Sequence, residues 1–299
     1  MVERENTLET RKTFKLPIHG FVHWKWSKLV MNVSLAVIVL IWLIPILMLF
    51  ISSIRPIGDM LTTGWWSAFL HPGRFTLDNY KTVLSSKGIG GGFINSLIIT
   101  IPSTILPIFI GALAAYPLSF YKFPGRKLLF VAIIAMQIVP LQTVLVPVLL
   151  TLKGIHLNGT FPGIWLAHTA FGLPLCIYLF HNYFAQLPYS LIEAAKIDGA
   201  NNLKIFSILI APMSKPVFAS LAIFQFLWIW NDLLVAMVVL GNPALSPLTV
   251  RLTSLLGSLD AGWNIMTPAA FASMILPLII FLAFQKYFVR GILAGAVKG

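Results

Sequence analysis

One carboxylate stands inside the apolar part of this sequence: Asp232, preceded by Trp230 and Asn231 in the run VFASLAIFQFLWIWNDLLVAMVVL. A charge in hydrocarbon costs at least ~2.5–3.5 kcal/mol on insertion scales, so Asp232 should face a cavity or a partner group. An aromatic face beside an amide and a carboxylate suits a polyol, whose hydroxyls need donors and acceptors while its ring faces are apolar. The plainer alternative is that Asp232 bonds a neighbouring helix. Gln137 and Gln142 flank Pro140, where a kink would turn them toward the same pathway. Single polar residues in such helices are as often interhelical glue, and Gln225 and Asn95 stand under that alternative too. His168 and His181 occur singly, without companions at metal-ligand spacing, which reads as structural and offers no metal site. No nucleophile–base pairing emerges, which argues against an enzyme.

The elements that position these groups follow from composition. Apolar residues make up 58% of the 299 and charged residues only 10%, where soluble domains carry roughly a quarter. Lipid is the solvent such a chain can satisfy. Six apolar runs, 29–51, 93–120, 128–152, 164–184, 217–240 and 265–284, reach the ~20 residues a helix needs to cross ~30 Å of hydrocarbon. Backbone groups in lipid must bond within their own segment, so these are helices. The expected fold is an all-α membrane protein with six transmembrane helices. The chain then divides into a tail, 1–28; a first span with a long external excursion, 29–92; a five-helix core, 93–290, carrying a loop at 185–216; and a tail, 291–299.

Six spans put both termini on one side. That side collects Arg4, Arg11, Lys12, Lys15, Lys25, Lys28, Lys122, Arg126, Lys127, Lys196, Lys204, Lys215, Lys286, Arg290 and Lys298, which is 15 of the 21 basic residues. The richer side should be cytoplasmic. The formal charge of +12 is scattered through short segments with no basic stripe, so nucleic acid is not an expected partner. Cys176 is alone, and no small-residue cleavage site follows the first apolar run, so neither a disulfide nor a removable signal peptide is expected. In the external excursion, Trp65-Trp66 suits the interfacial belt. The run Gly88-Ile89-Gly90-Gly91-Gly92 reads as a flexible entry into the second helix. Phe93-Ile94 stands where a phosphate loop needs Lys-Ser/Thr, so no nucleotide site is visible. Pro102, Pro107, Pro117, Pro140, Pro147 and Pro174 inside the spans predict bent helices, by ordinary kinking or around a pathway.

Leu187 to Pro216, LPYSLIEAAKIDGANNLKIFSILIAPMSKP, is longer than a linker between two spans requires. It reads as two short helices at an angle. Pro188 fits a start, Leu191, Ala194 and Ala195 share one face, and Gly199 falls where a helix ends at positive φ. Asn201 or Asn202 caps the second helix. Alanines at 194 and 195 leave a flat side, and Glu193 offers one carboxylate for registry: a docking knob.

Glu193-Ala194-Ala195, Gly199, and Leu209 through Ala211-Pro212 resemble the EAA loop of binding-protein-dependent ABC importers, with Ala211 where the family pattern has Leu. Asp198-Gly199-Ala200 matches an extension common in sugar permeases. The runs Phe75–Tyr80, Asn95–Leu97, Phe123–Arg126, Trp230–Asp232 and Gln285–Gly299 resemble the maltose-type second permease. The resemblance implies a type I importer permease fold in the bacterial inner membrane, non-catalytic, with Glu193, Ala194, Ala195 and Gly199 coupling to an ATPase. It implies a second permease, two ATPase copies that bind the ATP and Mg, and a periplasmic substrate-binding protein. Thr62-Thr63-Gly64-Trp65-Trp66 resembles the α-glucoside and glucosylglycerol branch, which implies an α-glucosidic solute such as glucosylglycerol, sucrose or trehalose. An ion-coupled carrier would need several intramembrane ionisable groups, and only Asp232 is present.

Overall fold

The computed structural model describes residues 21–85, 88–256 and 262–296. It divides into two compact units, residues 1–48 and 49–299. In the first unit the described residues are one helix, the start of α1 (Phe21–Ser53), whose stretch Trp26–Ser53 contains an 18-residue window with a mean hydropathy of 3.0. That is a membrane-crossing helix by length and composition.

The second unit takes α1 to its end. It continues with α2 (Ile57–Thr62), the 3₁₀ turns Trp65–Phe69 and Pro72–Arg74, α3 (Asp78–Ser85) and α4 (Ile89–Phe120). Next come α5 (Arg126–Ala135), the 3₁₀ turn Met136–Ile138, α6 (Leu141–Gly154) and α7 (Phe161–Phe184). Then α8 (Tyr189–Ile197) precedes α9 (Asn202–Ile205), a π-helical turn at Phe206–Ile210 and α10 (Ala211–Met213). The chain ends in α11 (Lys215–Trp230), α12 (Leu234–Leu240), α13 (Leu248–Leu256) and α14 (Trp263–Ala296). Among the described residues every regular element is helical.

Among the described residues four helices are each long and apolar enough to span a membrane, and the number is six if each of two bent pairs counts as one span. The third span bends at Pro140, where a kink was expected, but breaks there into two helices; the fifth, expected as one helix over 217–240, is interrupted after Trp230. In the third, the chain turns by 104° between Ile138 and Leu141. Pro140 has no N–H to continue the helix and forces Val139 into extended backbone, φ −71°, ψ 120°. In the fifth, α11 stops at Trp230 because Asn231 and Asp232 offer side-chain bonds that compete with the helical ladder. The other bend, 76°, falls earlier, at Ser214 before Pro216, where the preceding loop meets α11. The glycines expected as a flexible entry are helical instead. Gly88 caps α4 at φ 69°, and Gly90 to Gly92 form its first turn.

The most extensive packing is α4 against α7. Small residues allow it: a Cβ at Gly111 would stand 2.6 Å from that of Cys176. The α11 helix lies against α4 and α14. Three apolar clusters follow one another through the unit. One joins α4, α7 and the α8–α10 segment; another joins α4, α6, α7, α11 and α12; a third joins α3, α4, α11, α13 and α14.

Candidate functional site

The elbow begins where α7 runs out. Leu187 donates to Phe184 O, and Pro188, extended at φ −61° and ψ 124°, starts α8. The helix closes with two crossed bonds, Gly199 N to Lys196 O and Ala200 N to Ala195 O, each 3.0 Å. This is the Schellman pattern, which needs a left-handed residue after the cap; Gly199 supplies it at φ 77°. Nothing lies within 4 Å of a Cβ built there, so backbone conformation and not space demands glycine. Asn201 then caps the second helix, its Oδ1 accepting from Lys204 N at 2.8 Å.

Ile192 is the side chain that α8 buries, with Leu191 and Ala195 half-buried beside it. The sequence-based face placed Ala194 with them, but Ala194 is exposed next to Glu193. From the second limb Ile205, Phe206 and Ile210 join Ile192 in a cluster with Tyr116, Phe180 and Phe184. The π-helical turn holds Phe206 and Ile210 in that cluster. Polar ties add to the seat. Tyr121 OH donates to Asn202 Oδ1, Tyr183 OH donates to Met213 O at 3.1 Å, and Lys196 Nζ lies 5.1 Å over the Tyr121 ring. The elbow is therefore fixed to α4 and α7, while Glu193 and Ala194 face outward. Ile197, 86% exposed, and Leu203 share that exposure. Periodicity missed these two; their signal was an apolar residue off the packed face of a short amphipathic helix.

The second site lies at the breaks. A cavity of about 600 Å³ is lined among others by Gln137, Pro140, Phe171, Gly172, Gln225 and Trp228. Gln137 thus faces it, as the kink predicts, whereas Gln142 is exposed outside its lining. Gln225 is buried. Its Nε2 donates to Gly172 O at 3.3 Å and approaches Cys176 Sγ at 3.4 Å, and its Oε1 has no partner among the described residues. Trp230, a pathway candidate by sequence, sits in the core instead. It stacks on Phe226, meets Phe93 edge-on, and donates to Ser273 O at 3.0 Å.

Asp232 follows the bonding alternative. Its carboxylate accepts from Val235 N at 3.2 Å and Ala236 N at 3.0 Å, capping α12, and lies 3.7 Å from His168 Nε2. Its own carbonyl accepts from Thr249 Oγ1 at 2.6 Å. Asn231 is exposed and donates to Leu227 O at 2.7 Å. Sequence reading did not pair His168 with Asp232, since nothing local links α7 to the head of α12. Asn95 donates to Ala244 O and Ser246 O, tying α4 to the loop before α13. Among the described residues no group of three metal-ligating side chains assembles.

Residues 107–294 match the family described as binding-protein-dependent transport system inner membrane component. The chain is 54% identical over 277 residues to the osmoprotective compounds uptake permease protein GgtD of Synechocystis sp., covering 91% of this chain and 93% of that one. It is 52% identical over 234 residues to the alpha-glucoside transport system permease protein AglG of Rhizobium meliloti, covering 76% of this chain and 62% of that protein. Among solved structures, a chain of a bacterial ABC transporter that imports the acidic polysaccharide alginate superposes with a TM-score of 0.75 at 25% identity, over 91% of this chain and all of that one.

Proposed function

The chain belongs to the inner membrane components of binding-protein-dependent transport systems, and from that premise we propose how its two sites divide the work. The chain is a non-catalytic permease subunit of an ATP-driven importer for sugars or osmolytes. Its system comprises a partner permease, an ATPase and a substrate-binding protein. In our reading both termini, the tails 1–28 and 291–299 and the elbow within 185–216 are cytoplasmic. Two ATPase copies bind the ATP and Mg, and one of them grips this chain through Glu193, Ala194 and the turn at Gly199. Ala195 works from beneath, as part of the seat.

The observation that carries this is the anchoring of the elbow. Ile192, Ile205, Phe206 and Ile210 bury its underside against α4 and α7, so a push on the outward face moves membrane helices with it. Closely packed interiors transmit displacement instead of absorbing it. Glu193→Lys makes the test. It should leave the protein inserted and the complex assembled but abolish ATP-dependent uptake, because an attractive contact becomes repulsive. Normal uptake in that variant, or concentrative transport by a reconstituted preparation without an ATPase, would overturn the reading.

For substrate we propose an α-glucosidic compatible solute, glucosylglycerol first, with sucrose or trehalose also carried. The kinds of relative found, osmoprotectant and alpha-glucoside permeases, support this choice. Gln137, Gln225 and Trp228 give the cavity two amides and an aromatic face, and Asn231 adds an exposed amide at the neighbouring break. Trp230 and Asp232 hold the break in shape. Unchanged uptake of labelled glucosylglycerol after deletion of this subunit, with maltose uptake lost, would refute the substrate assignment.

A further inference from the structure

Beyond the elbow and the cavity, the segment after α1 holds a charge that the transport reading leaves unused. Arg55 is only 4% exposed, yet no carboxylate of the described residues pairs with it. Its guanidinium is held by uncharged acceptors. Nη2 donates to Asp59 O at 2.8 Å and to Thr63 Oγ1 and approaches Ser67 Oγ at 3.2 Å, while Nη1 has only a 3.5 Å approach to Thr63 O, which Nη2 shares. The position is built: Asn79 donates to both Ser53 O at 3.0 Å and Arg55 O at 2.7 Å, pinning the end of α1 onto α3.

Arg55 lines a pocket of about 90 Å³ together with Asp59, Thr63, Ser67, His71 and Arg74. Arg74 pairs with the one acid, Asp59, at 3.3 Å, so two guanidiniums face one carboxylate and the pocket is a net cation. A buried guanidinium short of an anion, with hydroxyls beside it, suits a phosphate oxygen. The same stretch of chain exposes large apolar groups next in sequence to the lining residues Ser67 and Ala68: Trp66, 64% exposed, and Phe69, with Leu61 and Leu70 exposed as well. All of this follows directly on the end of a membrane-crossing helix, the level at which aromatic side chains meet lipid headgroups.

We infer that the Arg55–Arg74 pocket binds the phosphodiester of an anionic phospholipid in the leaflet where α1 ends, with Trp66 and its neighbours seated among the acyl chains. On the orientation proposed above this is the outer leaflet, but the binding itself does not depend on that. Native mass spectrometry of the assembled transporter, titrated with phosphatidylglycerol and with phosphatidylcholine, reads it out independently of transport. Preference for phosphatidylglycerol should fall about fivefold in Arg74→Gln and at least as much in Arg55→Gln. Arg74 is exposed, so its variant keeps the test decisive if the buried Arg55 is needed for folding. Trp66→Ala should weaken both lipids. Undiminished phosphatidylglycerol retention in Arg74→Gln would overturn the site. Displacement of the lipid by inorganic phosphate, with Trp66→Ala without effect, would make it a free-phosphate site and overturn the lipid assignment. So would displacement by the purified binding protein, which would assign the pocket to an acidic protein surface.

Discussion

His168 Nε2 stands 3.7 Å from Asp232 Oδ2, one on α7 and the other at the head of α12, where the fifth span is interrupted. The carboxylate also accepts from two backbone amides. The intramembrane acid is thus spent on holding a helix end together, and the interruption it holds is what exposes Asn231 beside it.

Removing that carboxylate should loosen the break. Asp232→Ala is expected to cost ~0.5–2 kcal/mol, the range for a lost helix cap, while Asp232→Asn keeps an acceptor and most of the stability. Thermal unfolding of the purified complex checks this; equal losses in the two variants would show that charge and not capping matters.

The turn at Gly199 makes a cleaner pair. A Cβ there meets nothing, so Gly199→Ala tests backbone conformation alone, at ~1–2 kcal/mol. ATP-driven uptake should drop in Gly199→Ala and stay near wild type in Gly199→Asn, because asparagine tolerates left-handed backbone. Similar uptake in both would mean that the turn's shape is not what the ATPase reads.

At the cavity wall, Gln225 carries an acceptor without a partner. Gln225→Leu should raise the apparent KM for substrate by roughly three- to tenfold, the loss of one hydrogen bond. Gly172→Ala should do the same indirectly, since its Cβ would fall 2.7 Å from Gln225 Nε2 and displace the amide. Uptake kinetics at matched expression separate binding from assembly; an unchanged KM in both variants would remove Gln225 from the pathway.

The α4–α7 contact predicts a stability effect away from any site. Gly111→Val forces a branched side chain against Cys176 and should cost ~1–3 kcal/mol. Cys176, fully buried in the native chain, should then become reactive to maleimide. Continued protection, with an unchanged melting temperature, would mean that the α4–α7 contact accepts the larger side chain without opening.

Hydropathy placed the spans because burying polar backbone in lipid leaves few choices: four of the six runs fall on single long helices and the third on a bent pair, while the fifth, 217–240, is split between α11 and α12. Pro188, Gly199 and Asn201 marked the elbow because caps and positive φ are local demands that few residue types meet. What stayed illegible was tertiary. Hydropathy passes smoothly over Trp230-Asn231-Asp232, since two polar residues hardly dent a window of that length. Whether Trp230 faces a pathway or Ser273 depends on where α14 lies, and whether Ile192 or Ala194 packs inward depends on the angle at which α8 leaves α7. Neither angle is written in the spacing of one helix.

The seat under α8 separates two kinds of change. On the docking proposed for the elbow, substitutions at the exposed Glu193, Ala194, Ile197 and Leu203 would alter what a motor subunit touches without disturbing the side chains that fix the knob to the bundle. A transporter built this way can exchange its ATPase for a shared or divergent one while its solute passage stays intact, and can change its solute while keeping the same engine.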